Sequence, residues 1–242
     1  MTQTLQSNPF SGILLVNKTK GITSFRLVSV LRKVLNVQKI GHAGTLDPFA
    51  TGVMVMLVGK QFTRMSDQFL GQDKEYIAVL RLGQSTDSYD CDGELTSSSD
   101  LIPSESELNR AISLFQGTIE QIPPMFSAKK VKGKKLYELA RKGITIERAP
   151  NTVNVTISLL SYSYPFASIK VSCSKGTYIR SLAHDIGQAL GCGAHLIELQ
   201  RTRSGPFRLD ECIDATSLFE AKDSEYVARH LKKELPMHSI AR

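Results

Sequence analysis

Apolar positions recur along the chain with two different periods, and the switch between them predicts most of its elements. Gly12–Asn17 (GILLVN) is a short continuous apolar run and predicts a buried strand. After a turn at Lys18–Gly21, Thr23 or Ser24 can cap a helix in which Phe25, Leu27, Val28, Leu31, Val34 and Leu35 fall at helical spacing. Gln38–Gly52 is expected to be a Gly-rich loop, Val53–Val58 a strand, and Lys60 the start of a short helix. Tyr76–Leu82 alternates as a strand does, and Ser104 with Glu107 forms a capping-box pattern ahead of Leu108, Ile112 and Phe115. Gln121–Gly133, with Pro123, Pro124 and Gly133, is expected to be a loop or arm, followed by a short helix over Lys134–Lys142. Val153–Leu160 and Ala167–Cys173 predict two strands joined by a turn around Tyr164-Pro165. Tyr178–Leu190 has helical periodicity stopped by Gly191 and Gly193, and His195–Arg201 predicts a strand. Short helical patterns at Ser217–Lys222 and Glu225–Glu234 complete the chain. There is no internal repeat and no regular βαβ alternation, so the fold class expected is α+β.

Composition narrows this picture. The 242 residues are 41% hydrophobic and 22% charged, an ordinary soluble balance. No apolar run approaches the ~18–20 residues that span a bilayer. Residues 1–10 read as a disordered lead, since Met1–Asn8 has neither a basic segment nor an apolar one and so is not a secretory signal. Cys91, Cys173, Cys192 and Cys212 are scattered without a CxxC pair, which argues against a zinc site or a disulfide framework and for the cytoplasm. The net charge of +7 hints at a polyanionic partner, and its distribution says more than its total. Between residues 129 and 148, Lys129, Lys130, Lys132, Lys134, Lys135, Arg141, Lys142 and Arg148 face only Glu138 and Glu147. Gln84–Leu108 carries seven acidic residues and no Lys or Arg. The first stretch should attract phosphate and the second repel it.

Several constellations could carry chemistry. Gly41, Gly44 and Gly52 permit tight turns around His42, Thr45 and Asp47, and Pro48 biases Asp47 towards an extended backbone. Without a GK[ST] sequence this is not a P-loop. Alone, Asp47 fits a structural cap better than a reactive carboxylate. Tyr178 and Arg180 open a helix after a strand, where an arginine can orient a carboxylate, or can simply lie on the surface beside a core tyrosine. Tyr76, at the entry of a strand, can stack on a base or fill a core. Thr86–Glu94 superficially suggests a calcium loop, but its twelfth position would be Ser99 and not a bidentate glutamate. No histidines stand at ligand spacing, and His184-Asp185 is too generic to indicate a hydrolase triad.

The order of these segments is more specific than any one of them. GHAGTLDPFATG, KEY, RLGQSTDSYDCDGE, QIPPMFSAKKVKGKKLYELARKG, CSKGTYIRSLAHDIG and GCGAHLIELQRTRSGPF together resemble the TruB family of tRNA pseudouridine synthases, from about Gly12 to about Asp210. The bacterial type fits better than its guide-RNA-dependent relatives. The resemblance implies a single catalytic domain over 11–242, a largely antiparallel mixed sheet flanked by helices and loops with a central cleft, and an RNA-clamping insertion at about 121–148. It makes Asp47 the essential aspartate, Arg180 the arginine that pairs with it, Tyr76 the tyrosine that stacks on the target base, and Tyr178 a second site aromatic. Leu199 and Ile179 become apolar walls, His42 holds RNA with its bases everted, and Lys18 is the lysine of a KPxG turn in which Thr19 replaces the usual proline. Lys129, Lys130 and Lys132 would contact phosphates. The thirty-odd residues after Asp210 are too few for the PUA domain common in the family.

The implied reaction is an isomerisation. The N1–C1′ bond of a T-loop uridine (tRNA position 55) breaks, the uracil rotates, and it rejoins through C5. Atoms are conserved, so no cofactor, metal or donor is needed, but the base must be flipped out of its stack. The expected partner is the T-stem-loop of tRNA, met by a monomer. Competing readings are a tRNA-folding chaperone with secondary catalysis and a guide-dependent synthase.

Overall fold

The structure is a computed structural model that describes residues 10–131, 133–221 and 223–234. The expected lead at 1–10 therefore falls outside them apart from Phe10, as do Lys132 and Lys222, the end of the Ser217–Lys222 pattern. In chain order the elements begin β1 Gly12–Lys18, α1 Ser24–Leu35, β2 Ile40–Ala43, β3 Thr51–Val58, α2 Lys60–Thr63, α3 Ser66–Leu70 and β4 Lys74–Leu82. They continue β5 Gln84–Thr86, β6 Leu95–Ser98, α4 Glu105–Ser113, β7 Gly117–Gln121, β8 Lys130–Val131, β9 Lys134–Lys135 and α5 Leu136–Ala140. The rest are β10 Asn151–Ser163, β11 Phe166–Cys173, α6 Ile179–Leu190, β12 Ala194–Ser204, β13 Phe207–Arg208, β14 Ile213–Asp214, α7 Ala215–Ala221 and α8 Ser224–His230. Two compact units result: Met1–Lys74 with Gln200–Arg242, and Glu75–Leu199.

In the first unit β3 is the central strand. One edge pairs antiparallel with β1, from Gly12↔Val58 to Lys18↔Gly52, and β1 pairs parallel with β14. The other edge is shared: β2 pairs with Val55–Val58, and β12 pairs parallel with Thr51 and Gly52 through Gln200 and Arg201. Ile13, Leu14, Leu15 and Val16 are all buried although successive side chains point to opposite faces, so β1 is covered on both sides. That is why GILLVN shows no alternation. Ile13, Leu15, Val53, Val55 and Leu57 share a core with Phe62, Phe69 and Phe207. Helix α1 starts as expected: the Thr23 hydroxyl accepts from the Arg26 N–H at 3.2 Å, and Leu27, Val28, Leu31 and Leu35 form its buried stripe. It ends at Asn36 in the left-handed region, φ 50°.

Two expectations need correction here. Gln38–Gly52 is not all loop, because Ile40–Ala43 supplies the partner that half of the β3 edge requires. The last helix stops at His230, and Lys232 instead exchanges both backbone hydrogen bonds with Ile13, at 2.8 and 2.9 Å, adding to the β1 edge.

In the second unit β4, β11, β10 and β7 lie side by side in that order. The β10–β11 and β10–β7 pairs are antiparallel, the first with a bulge between Leu159 and Ser161. The capping box forms as predicted, with Ser104 and Glu107 bonding reciprocally ahead of buried Leu108, Ala111 and Ile112. Helix α6 ends on Gly191, φ 76°, as the sequence signals. The helix expected over Lys134–Lys142 is shorter, Leu136–Ala140, because Lys134 and Lys135 pair with Lys130 and Val131 in a hairpin. Parallel and antiparallel pairs with helices apart from a βαβ alternation make the class α+β, as expected.

Candidate active site

Asp47, His42 and Lys18 lie in the first unit, on and beside the segment linking β2 to β3. Asp47 is half-buried, and its backbone is fixed from several directions. The Ser24 hydroxyl both donates to Leu46 O and accepts from Leu46 N, each at 2.9 Å. Pro48 O accepts from Gly21 N at 2.9 Å and from the Lys18 ammonium at 3.2 Å. Ala50 N donates to Asp47 O at 3.1 Å, closing a turn. The Lys18 turn survives without its usual proline because the ammonium itself organises it, donating also to Thr19 O (3.0 Å) and Ile22 O (2.8 Å). Lys18 is fully buried, and burial lowers its pKa to about 8, against the raising effect of Asp47 and with a further lowering by Arg201. Burial, then Arg201, also lowers the pKa of His42, whose Nδ1 is buried without a hydrogen-bond partner. The imidazole is held neutral.

Arg201 has no role assigned by sequence reasoning, yet it is 1% exposed in this same unit. Its guanidinium donates to Val53 O (2.7 Å) and Gly44 O (3.1 Å), reaches Thr45 O at 3.5 Å, and contacts the Met54 thioether.

Tyr76, Tyr178, Ile179, Arg180 and Leu199 lie in the second unit. Tyr76 and Leu199 are buried on β4 and β12. Tyr178 is the residue before α6, and the side-chain amide of buried Gln121 holds it at both ends. Tyr178 N donates to Gln121 Oε1 at 2.7 Å, and Gln121 Nε2 donates to Tyr178 O at 3.0 Å. Arg180, 5% exposed, forms an ion pair with Asp90 (3.1 Å) and donates to Ser88 O (3.0 Å) and Phe126 O (2.7 Å). Ser181 Oγ donates to Ile122 O at 2.9 Å. Residues 121–126, the root of the basic arm, are thus tied to the start of α6 at three points.

Asp90 is the second residue that sequence reasoning missed. Its acidic segment is neither a calcium loop nor merely a zone that repels phosphate. Thr86 Oγ1 bonds Asp90 O (2.8 Å), and Asp87 N and Glu94 O close a tight turn (3.0 Å). That turn aims Asp90 inward, where Ser88 Oγ donates to Oδ1 (2.6 Å), Asp92 N donates to Oδ1 (3.1 Å), and Arg180 takes Oδ2. The signal lay in the family block RLGQSTDSYDCDGE itself. On the arm, Lys129 is half-buried and donates to Asn151 Oδ1 (2.7 Å), whereas Lys130 is exposed. Tyr137, also unassigned from sequence, carries Lys135 and Arg141 over its ring at 5.4 and 5.5 Å. Among the described residues no helix is long and apolar enough to cross a membrane, and no cluster of three metal-ligand side chains occurs.

Comparison with known proteins supplies the family. Residues 32–179 match the profile described as TruB family pseudouridylate synthase (N terminal domain). Residues 180–239 match that of a tRNA pseudouridylate synthase B C-terminal domain, which carries the resemblance past Asp210 into the last two helices. The tRNA pseudouridine synthase B of Protochlamydia amoebophila is 61% identical over 88% of this chain and 82% of its own. That of Chlamydia muridarum is 57% identical over 89% and 90%. A solved Cbf5-Nop10-Gar1 complex is 30% identical with a TM-score of 0.70, covering 93% of this chain, which spans 61% of that one. The chain belongs to the TruB family of pseudouridylate synthases.

Proposed function

We propose that this protein is a tRNA pseudouridine synthase that isomerises the T-loop uridine at tRNA position 55. The observation that carries the reading is 61% identity to a tRNA pseudouridine synthase B over 88% of the chain. Asp47 acts as the reacting carboxylate, as nucleophile or as base at the ribose C2′. A loop whose neighbouring backbone groups are bonded on both sides of that residue suits the task, since reaction requires a preorganised carboxylate. Arg180 keeps the carboxylate ionised and oriented, Tyr76 stacks on the uracil, and Tyr178, Ile179 and Leu199 enclose the detached base. His42, neutral and half-buried, holds everted bases by hydrogen bonding and stacking, not by charge. Lys130 with the arm around 121–148, and Lys129 and Lys132 beside it, bind phosphates and position the RNA without reading its sequence.

The test is release of tritium from tRNA labelled at uracil C5. Wild-type protein should release it, and Asp47→Asn should lose release altogether while keeping tRNA affinity within about threefold. Binding of tRNA without release by the wild-type protein would sink the enzymatic reading. An active Asp47→Asn would remove Asp47 from its role.

A further inference from the structure

The Asp47 loop fills an interruption in the edge of β3. Strand β2 pairs with that edge as far as Val55, and β12 takes it up at Gly52, so Val53 and Met54 face neither strand. Residues Gly44–Ala50 leave β2 and re-enter β3 across this interruption. The Arg201 side chain occupies it. One face of the guanidinium serves the edge, with Nε on Val53 O and Nη2 against Met54 Sδ, and the other serves the loop at Gly44 O and Thr45 O. The loop's far end meets the same residue. Gly52 pairs with the Arg201 backbone at φ 104°, and a Cβ there would collide with Arg201 O. At Gly44, φ 95°, a Cβ would stand 3.3 Å from Arg201 Nη1. Both glycines are therefore required, for conformation and for the approach of one arginine.

We propose that Arg201 is a positioning residue for the Asp47 carboxylate, clamping one end of its loop by side chain and the other by backbone. The inference rests on Asp47 being the reacting group. Burying a guanidinium among carbonyls and a thioether, with no carboxylate within 4 Å among the described residues, costs more than a neutral amide would. Structural bonding alone does not call for that charge. A fixed positive charge bonded to the loop that carries a reacting carboxylate does, because it favours the ionised form without moving. Its reach is visible in Lys18 and His42, both of which it disfavours as cations. The loop would not collapse without it, since Ser24 holds Leu46 and Lys18 and Gly21 hold Pro48 independently.

The test uses Arg201→Lys and Arg201→Gln in the full chain, with tRNA affinity, thermal unfolding, and single-turnover tritium release from C5-labelled tRNA between about pH 6 and 9.5. Lysine keeps the charge but cannot reach both strand edge and loop, so its rate per folded molecule should fall about 10- to 100-fold while affinity changes by less than about threefold. In Arg201→Gln the alkaline limb, set by the Lys18 ammonium that faces Asp47 and Arg201, should move to higher pH because a repelling neighbour is gone. A merely structural arginine would lower the melting temperature and the active fraction, leaving the rate of the folded fraction and the limb in place. A lysine rate within about twofold of wild type, an unmoved limb, or failure of both variants to fold would each overturn the proposal. Absence of release by the wild-type control would instead remove the synthase reading, so the two failures are distinguishable.

Discussion

Two buried arginines serve the two units in opposite electrostatic settings. Arg180 has Asp90 at 3.1 Å, and that carboxylate is in turn held by Ser88 and the Asp92 N–H. Arg201 has carbonyls and a sulfur. The difference is legible in the neighbours. Burial pushes Lys18 and His42 towards neutrality and Arg201 adds to the push, whereas the guanidinium of Arg180 is matched to an acid 90 residues earlier in the chain. A balanced buried charge fixes geometry, and an unbalanced one also projects a potential onto whatever lies beside it. Removing the balance from the first or adding balance to the second should therefore have unequal effects.

The largest effect expected is from Asp90→Ala. It takes the Asp90 carboxylate from the buried Arg180 guanidinium, and removes the acceptor for the Ser88 hydroxyl and the Asp92 N–H within the Thr86–Glu94 turn. Breaking one side of a buried pair costs about 3–5 kcal/mol, to be read from urea unfolding. Asp90→Asn, which still accepts from Ser88 and Asp92, should lose less stability yet still slow tritium release. If Asp90→Ala unfolds at the same urea concentration as wild type, the two arginines do not differ as argued.

A smaller effect reports on the unbalanced side. The unfolded chain keeps Lys18 protonated up to 10.5, and the folded protein only to about 8. Between those values the unfolded state binds more protons, so this group makes stability rise with pH. Relative to Lys18→Met, wild-type protein should gain about 2 kcal/mol from pH 8 to 10.5, and nothing below about pH 7. Parallel curves for the two proteins would show that Lys18 does not carry this charge cost.

Elements whose apolar stripes have a clear period were legible in the sequence, and elements created by a neighbour's needs were not. Helices α1, α4 and α6 carry caps and stripes within their own residues. Strand β2 has no such pattern: Gly41 and His42 are half-buried, and the strand exists because the β3 edge requires a partner. Strand β7, GTIEQ, is mostly polar and exposed, and β10 organises it. The candidate site divides in the same way. Asp47, Tyr76, Tyr178 and Arg180 stand in motifs that can be read locally. The groups that hold them do not: Gln121 acts on Tyr178 across 57 positions, and Arg201 acts on Gly44 across 157. Charge patterning misled at Asp90 for a related reason. Seven acids between Gln84 and Leu108 without a base read as a surface to be kept from phosphate, but one of them turns inward to a cation 90 positions further along, which charge counting does not reveal.

The finest test of balance lies on α6, five residues beyond Arg180. Asp185 is partly buried with no cation within 4 Å among the described residues, and burial alone pushes its pKa from 3.8 up to about 6. The sign is opposite to that of a salt-bridged acid. Below 3.8 the group is protonated in both states and costs nothing. Between 3.8 and 6 the unfolded chain loses the proton first, so stability falls as pH rises, and above about 6 the folded protein carries a buried anion. Asp185→Asn removes that anion and keeps the shape. It should stabilise the protein by about 1–2 kcal/mol at pH 7–8, after allowance for solvent screening, and by nothing near pH 3.5. Tyr89, whose ring stacks on His184 at 3.9 Å, has its pKa raised by burial, with a further raising by Asp185, and should ionise more readily in the variant. Tyrosinate absorbance followed through an alkaline titration would report this. If Asp185→Asn lost stability at pH 7, the carboxylate would have to be engaged by a donor that offsets its burial. The contrast with Asp90 would then reduce to which donor each acid has found.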